Sequence, residues 1–162
     1  FLRLWCNMLD GMVALESGKA SLRGEVLNEV PDRFSDVIIF VGVAHSGLCH
    51  PLGGYWAAIF ALIVAYVGVL AQALGVGRDF SGLMSKPWRM VALAVGAWIT
   101  LGLLWSRGGP IRFAGLTVLD WTHAVIVLGC VQTIVVRLAH TLRALQEQEP
   151  SDPRTQLPGG EE

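Results

Sequence analysis

Three stretches of the chain are almost free of polar residues. They are Tyr55 to Leu74, Trp88 to Trp105 with a tryptophan at each end, and Leu116 to Val136, with Asp120, Thr122 and His123 near its start. Each approaches the roughly 20 apolar residues that a helix needs to cross a bilayer, and tryptophan at span ends suits the membrane interface. A fourth stretch, Gly24 to Ala44, changes character midway. Val37 to Ala44 is apolar, whereas the first half carries Glu25, Asn28, Glu29, Asp32, Arg33 and Asp36. Such a half-helix cannot face lipid and must face protein or a water-filled cavity. Residues 1 to 15 read as the end of a further helix. The pattern predicts an all-α, polytopic transmembrane bundle of about five helices over residues 1–145. Residues 146–162, rich in Pro, Gly, Glu and Gln without apolar periodicity, read as a disordered cytosolic tail. The chain opens at Phe1 inside a helical pattern, so it is expected to be a fragment whose upstream membrane helices are missing.

Composition agrees with the pattern. Of 162 residues 53% are hydrophobic and 15% charged, with a mean hydropathy of +0.54, too apolar for an ordinary soluble domain. A net charge of −1 offers no basic field for nucleic acid. Basic residues are unevenly placed. Lys19, Arg23 and Arg33 surround the first connection, Arg78, Lys86 and Arg89 the third, and Arg137, Arg143 and Arg154 follow the last span. The second connection, His45 to Gly54, has no Lys or Arg, and the fourth has only Arg107 and Arg112. The positive-inside rule puts the first and third connections and the C-terminus in the cytosol. The expected location is a bacterial inner membrane, with the polar half of the split helix facing the cytosol.

Ionisable groups at membrane depth cost several kcal/mol unless they line a cavity or hold an ion. Residues three or four apart share a helix face, so Asn7, Asp10, Gly11 and Ala14 form one stripe and Asn28, Asp32 and Asp36 another. If the two helices run antiparallel the stripes converge, and their carboxylate and amide oxygens suit Mg²⁺ or Mn²⁺. Gly11 and Ala14 leave room for a nucleotide, and Gly24 for close helix approach. An interhelical polar network without metal is the plainer alternative. Other groups carry less. His45 and His50 flank Cys49 in a short outer loop, as loop polarity or as a metal site. Asp120 and His123 form a helix-start hydrogen bond or a proton relay. Cys6, Cys49 and Cys130 make no CxxC pair and read as apolar packing.

The segment from Asn7 to Asp32 resembles the signature of the CDP-alcohol phosphatidyltransferase family, D-x2-D-G-x2-A-R-x8-G-x3-D-x3-D. Asp10, Gly11, Ala14, Gly24 and Asp32 match with every gap in place. Asp32-Arg33-Phe34-Ser35-Asp36, Ala65-Tyr66-Val67 with Ala73-Leu74-Gly75, and Lys86-Pro87-Trp88-Arg89-Met90 are similar to the phosphatidylinositol-phosphate synthase branch; the resemblance covers roughly residues 5 to 100. It implies a six-helix membrane fold, usually a homodimer, beginning here near the end of the second helix. It implies transfer of a phosphatidyl group from a CDP-linked lipid to an alcohol with release of CMP. By the same resemblance Asn7, Asp10, Asn28 and Asp32 hold Mg²⁺ or Mn²⁺, with Asp36 as a further ligand. Asp10, Gly11, Ala14 and Gly24 take the nucleotide, and Asp32 deprotonates the acceptor.

The departures matter. Asn7 and Asn28 stand where the family has Asp, and Leu15 stands where it has Arg. Two negative charges are lost, and Asp36 or Glu29 is the candidate to restore one. Lys86 and Arg89, three residues apart on the connection before the Trp88 span, are expected over the mouth of the acidic cavity as acceptor-binding cations. Gly68 and Leu70 stand where the branch carries cations. The alternatives are a catalytically inactive scaffold of the same fold and an ion-coupled transporter subunit.

Overall fold

The computed structural model describes residues 22–77, 81–82 and 84–148, with side chains of the first helix from Glu29 onward. Four helices make up this part: α1 (Leu22–Ala44), α2 (Pro51–Ala73), α3 (Lys86–Arg107) and α4 (Val118–Gln148), with a two-stranded hairpin, β1 (Arg112–Phe113) and β2 (Leu116–Thr117), between α3 and α4. Helices α2, α3 and α4 are long and apolar enough to cross a membrane. At about 1.5 Å per residue the 23 residues of α2 reach about 35 Å, enough for the hydrocarbon core.

Helix α2 carries no charged residue. It starts at Pro51, whose missing N–H costs nothing in a first turn, with His50 as N-cap accepting a hydrogen bond from the Leu52 N–H. Its buried positions are Gly54, Ala57, Ala58, Ala61, Val64, Val67, Gly68 and Ala71. This stripe of small residues at helical spacing lets neighbouring backbones approach, which drives helix association in lipid, where apolar burial alone gives no advantage. The stripe packs against α1 on one side and α4 on the other, and α3 packs on α4. The common core comprises Phe40, Ala57, Ala58, Ala61, Val64, Leu93, Ile126 and Cys130. Large apolar side chains such as Trp56, Tyr66, Trp98 and Leu128 point outward, as lipid-facing positions should.

Helix α1 is one continuous helix across the compositional break, with Pro31 inside it. Helix α4 runs past the expected end at Val136 to Gln148, three residues into the stretch read as a tail; residues 149–162 lie outside the described part. The connection before α4 is a hairpin that the sequence reading did not anticipate. Arg112 pairs with Thr117 and Phe113 with Leu116. The two turn residues, Ala114 and Gly115, both have positive φ, 52° and 81°, the backbone of a type I′ turn.

Candidate active site

The alternating directions of the helices bring the polar half of α1, the end of α2, the start of α3 and the second half of α4 to one end of the bundle. Asp32 and Asp36 sit one turn apart on α1 and are buried, with 9% and 1% of their surface exposed. Asn28 lies one turn before Asp32 on the same helix. Glu29 and Arg33 form an ion pair one turn apart along α1. Arg33 also approaches the Asp36 carboxylate at 3.8 Å.

Arg89, expected on the connection before the Trp88 span, stands in the first turn of α3, which has Ser85 at its N-cap position and Pro87 in its first turn. Lys86 begins the same helix. Arg89 is 1% exposed. One terminal nitrogen donates to Asp36 Oδ2 and the other to the Met84 carbonyl, both at 3.5 Å. Its Nε is buried without a hydrogen-bond acceptor. Asp36, expected as a spare metal ligand, is therefore the meeting point of two guanidinium groups, one from its own helix and one from α3.

Arg137 is a feature the sequence reading used only as an orientation marker. It falls on the inward face of α4, in register with His123, Cys130, Thr133 and Thr141, and that spacing was the available signal. Its Nε donates to the Ser81 carbonyl at 2.9 Å and a terminal nitrogen to the Val64 carbonyl at 3.4 Å. Thr133 accepts from the Met84 N–H at 3.1 Å. Side chains of α4 thus pin the segment leading into α3 at the polar end.

Asn7, Asp10, Gly11 and Ala14 lie outside the described residues. Gly24 and Asn28 lie within α1, the latter with its side chain outside the described set. The structure therefore places the second stripe and not the first.

The opposite end holds the weaker candidates. The Tyr55 hydroxyl and His45 Nε2 are hydrogen-bonded at 2.7 Å, and His50 caps α2. The Asp120 carboxylate accepts from the backbone N–H groups of His50 (2.7 Å) and Thr117 (2.9 Å) and from the Thr117 hydroxyl (2.9 Å), so it has the helix-start role. His123 is buried against Phe40 with neither ring nitrogen hydrogen-bonded. Among the described residues no three His, Cys, Asp or Glu side chains converge as a metal site. Two apolar grooves, of about 880 Å³ between α3 and α4 and about 690 Å³ between α2 and α4, are lined by neither Asp32 nor Arg89.

No family model matches the chain, and no solved structure matches it significantly. Curated relatives do. Over 97 residues it is 31% identical to the phosphatidylinositol phosphate synthase of Mycolicibacterium smegmatis, covering 56% of this chain and 43% of that protein. Over 91 residues it is 31% identical to the archaetidylinositol phosphate synthase of Methanothermobacter thermautotrophicus, covering 56% and 46%. The inner membrane protein YnbA of Escherichia coli is 29% identical over 98 residues, covering 60% and 48%. The chain spans less than half the length of these relatives.

Proposed function

We propose, from the premise that the chain is homologous to the CDP-alcohol phosphatidyltransferases, that its protein transfers a phosphatidyl group from a CDP-linked lipid to a polar alcohol. The observation that carries the reading is the buried Asp32 carboxylate on α1, at the final acid of a gapped motif that otherwise keeps its spacing from Asp10 onward. The names of the relatives support phospholipid synthesis as the setting.

In this reading the acceptor hydroxyl oxygen attacks the lipid-bearing phosphorus. The bond from that phosphorus to the bridging oxygen breaks, and CMP leaves. Asp32 takes the proton of the attacking hydroxyl; a general base must lie within reach of the proton it removes, and low exposure keeps competing water away. Gly11, Ala14 and Gly24 give the nucleotide access to backbone, with Asp10 beside it. The donor set fits a hard divalent cation: Asn28 and Asp32 lie one turn apart on a helix whose polar half cannot face lipid. Asn7, Asp10, Asn28 and Asp32 would hold Mg²⁺ or Mn²⁺, which when bound supplies charge neutralisation at the diphosphate. Arg89, with a buried N–H lacking an acceptor, suits an oxygen of the acceptor, and Lys86 begins the same helix turn. The polar end faces the cytosol, where the basic residues gather.

The test is CMP release from CDP-diacylglycerol by the protein in its natural full length, with Mg²⁺ or Mn²⁺ and a panel of glycerol, inositol and their phosphates. Asp10→Ala and Asp32→Ala should each reduce release at least 100-fold. Asn28→Asp should lower the metal concentration needed for half-maximal rate, because it restores a charge to the site. Near-wild-type release by both alanine variants would refute the mechanism. A wild-type protein that binds CDP-lipid and releases no CMP would instead be a scaffold of this fold.

A further inference from the structure

Helices α1 and α3 share little of the bundle's packing. The extended seams among the described residues are α1 on α2, α2 on α4 and α3 on α4. The contact that joins α1 to α3 at the polar end is the ion pair of Asp36 and Arg89, from residues 53 apart in sequence, at 3.5 Å and with both side chains at most 2% exposed. Arg33 adds a second guanidinium to the same carboxylate oxygen at 3.8 Å. Asp36 also lies one turn beyond Asp32 on α1, so the charge that fixes Arg89 and the base of the proposed reaction belong to one rigid segment.

We propose that Asp36 is a positioning residue: its carboxylate holds the Arg89 guanidinium and so fixes the start of α3 relative to the Asp32 face of α1, and it does not ligate the metal. The geometry argues against a ligand role. A divalent cation at the Asp36 carboxylate would be repelled by two guanidinium charges within 4 Å of Oδ2, whereas the shared carboxylate gives each guanidinium a counter-charge. The arrangement also accounts for the orientation of Arg89. With one terminal nitrogen on Asp36 and the other on the Met84 carbonyl, the guanidinium plane is fixed and Nε is the nitrogen that makes no hydrogen bond. The role of Asp36 in the reaction rests on the transferase reading; its pairing with Arg89 does not.

The experiment uses the natural full-length protein with Asp36→Asn, Asp36→Glu, Arg89→Gln and the Asp36→Asn/Arg89→Gln double variant. Thermal unfolding in detergent reads the pair whether or not the protein turns over. Each single neutralisation should lower the midpoint by several degrees, and the double variant should lose clearly less than the sum of the two; strict additivity overturns the pairing. Mn²⁺ titration reads the metal. Asp36→Asn should leave Mn²⁺ affinity within about twofold of wild type, and a tenfold or greater fall overturns the proposal in favour of a ligand. Kinetics with inositol phosphate as acceptor reads the positioning role. Asp36→Asn should raise the acceptor KM about tenfold, leave the KM for CDP-diacylglycerol unchanged and add nothing to Arg89→Gln, with Asp36→Glu restoring part of the loss. A fall in kcat alone, with both KM values intact, overturns positioning. A wild-type protein without turnover refutes the transferase reading and with it the kinetic role, while the unfolding cycle and the Mn²⁺ titration still decide whether Asp36 is a partner of Arg89 or a metal ligand.

Discussion

Gly54 marks a close approach of α1 to α2. A methyl group there would lie 2.7 Å from the Ala44 Cβ and 2.8 Å from the Phe40 carbonyl oxygen, and the second of these is backbone that no rotamer change can move. Gly54→Ala should therefore push the helices apart and lower stability by about 1–3 kcal/mol, the usual range for overpacking. Gly42 is the control on α1. A Cβ there meets nothing within 4 Å, and alanine should be neutral or stabilising by up to about 1 kcal/mol because it restricts the unfolded chain. Thermal unfolding of the two variants in the same detergent checks the contrast, and equal midpoints would mean that α1 and α2 do not close as described. Gly68 belongs to the same stripe for a different reason. Its missing side chain leaves the Arg137 guanidinium space against α2, where a Cβ would stand 3.3 Å from a terminal nitrogen. The face at which the sequence reading noted an absent cation thus has a cation beside it, contributed by α4.

At the scale of elements, Asp120 ties three pieces together: the last residue of the hairpin, the first turn of α4 and, through the His50 N–H, the start of α2. Removing an acceptor from donors of this kind costs about 1–3 kcal/mol. Asp120→Ala should accordingly speed amide exchange in residues 45–52 and 112–120 while leaving residues 130–145 of α4 unchanged, as measured by hydrogen–deuterium exchange. Acceleration spread evenly along α4 would deny Asp120 this local role. The three spans were legible in the sequence because an apolar run of sufficient length has few other uses. The polar half of α1 was legible as a segment that packs against protein because six ionisable or amide side chains cannot be given to lipid, and Asp32 and Asp36 are buried. The far end of α4 was not. Beyond Val136 the inward face carries Arg137 and Thr141, whose polar groups are hydrogen-bonded to backbone, so hydropathy falls where the helix continues. The hairpin left only Gly115 as a signal. The pairing of Asp36 with Arg89 had none, since it joins residues on different helices through tertiary packing alone.

At the scale of the molecule, buried charge divides the bundle into two unlike ends. Asp32, Asp36, Arg89 and Arg137 lie toward one, where Trp88 is exposed; Trp56, Trp105, Phe113 and Trp121, all exposed, lie toward the other, so that aromatic residues flank both ends as interfacial anchors would. Cys49 is a native reporter for the second end: it sits in the α1–α2 loop, half-buried, while Cys130 is buried in the core. Burial pushes the Cys49 thiol above its ordinary pKa, the Asp120 charge adds to the rise, and a hydrogen bond with Ser46 opposes it. Only the thiolate reacts with maleimide, so labelling should be slow at pH 7 and climb about tenfold per pH unit through the alkaline range. Asp120→Asn removes one cause of the raised value and should speed labelling at any fixed pH in that range. In a Cys6→Ser, Cys130→Ser background, a membrane-impermeant maleimide added outside spheroplasts at pH 8.5 should label Cys49 without permeabilisation. A cysteine introduced as Arg143→Cys, toward the opposite end of α4, should react only after permeabilisation. The reverse pattern would put Asp32 and Arg89 on the outer face, away from the cytosolic leaflet where the transferase reading places the CDP-linked lipid and its alcohol acceptor.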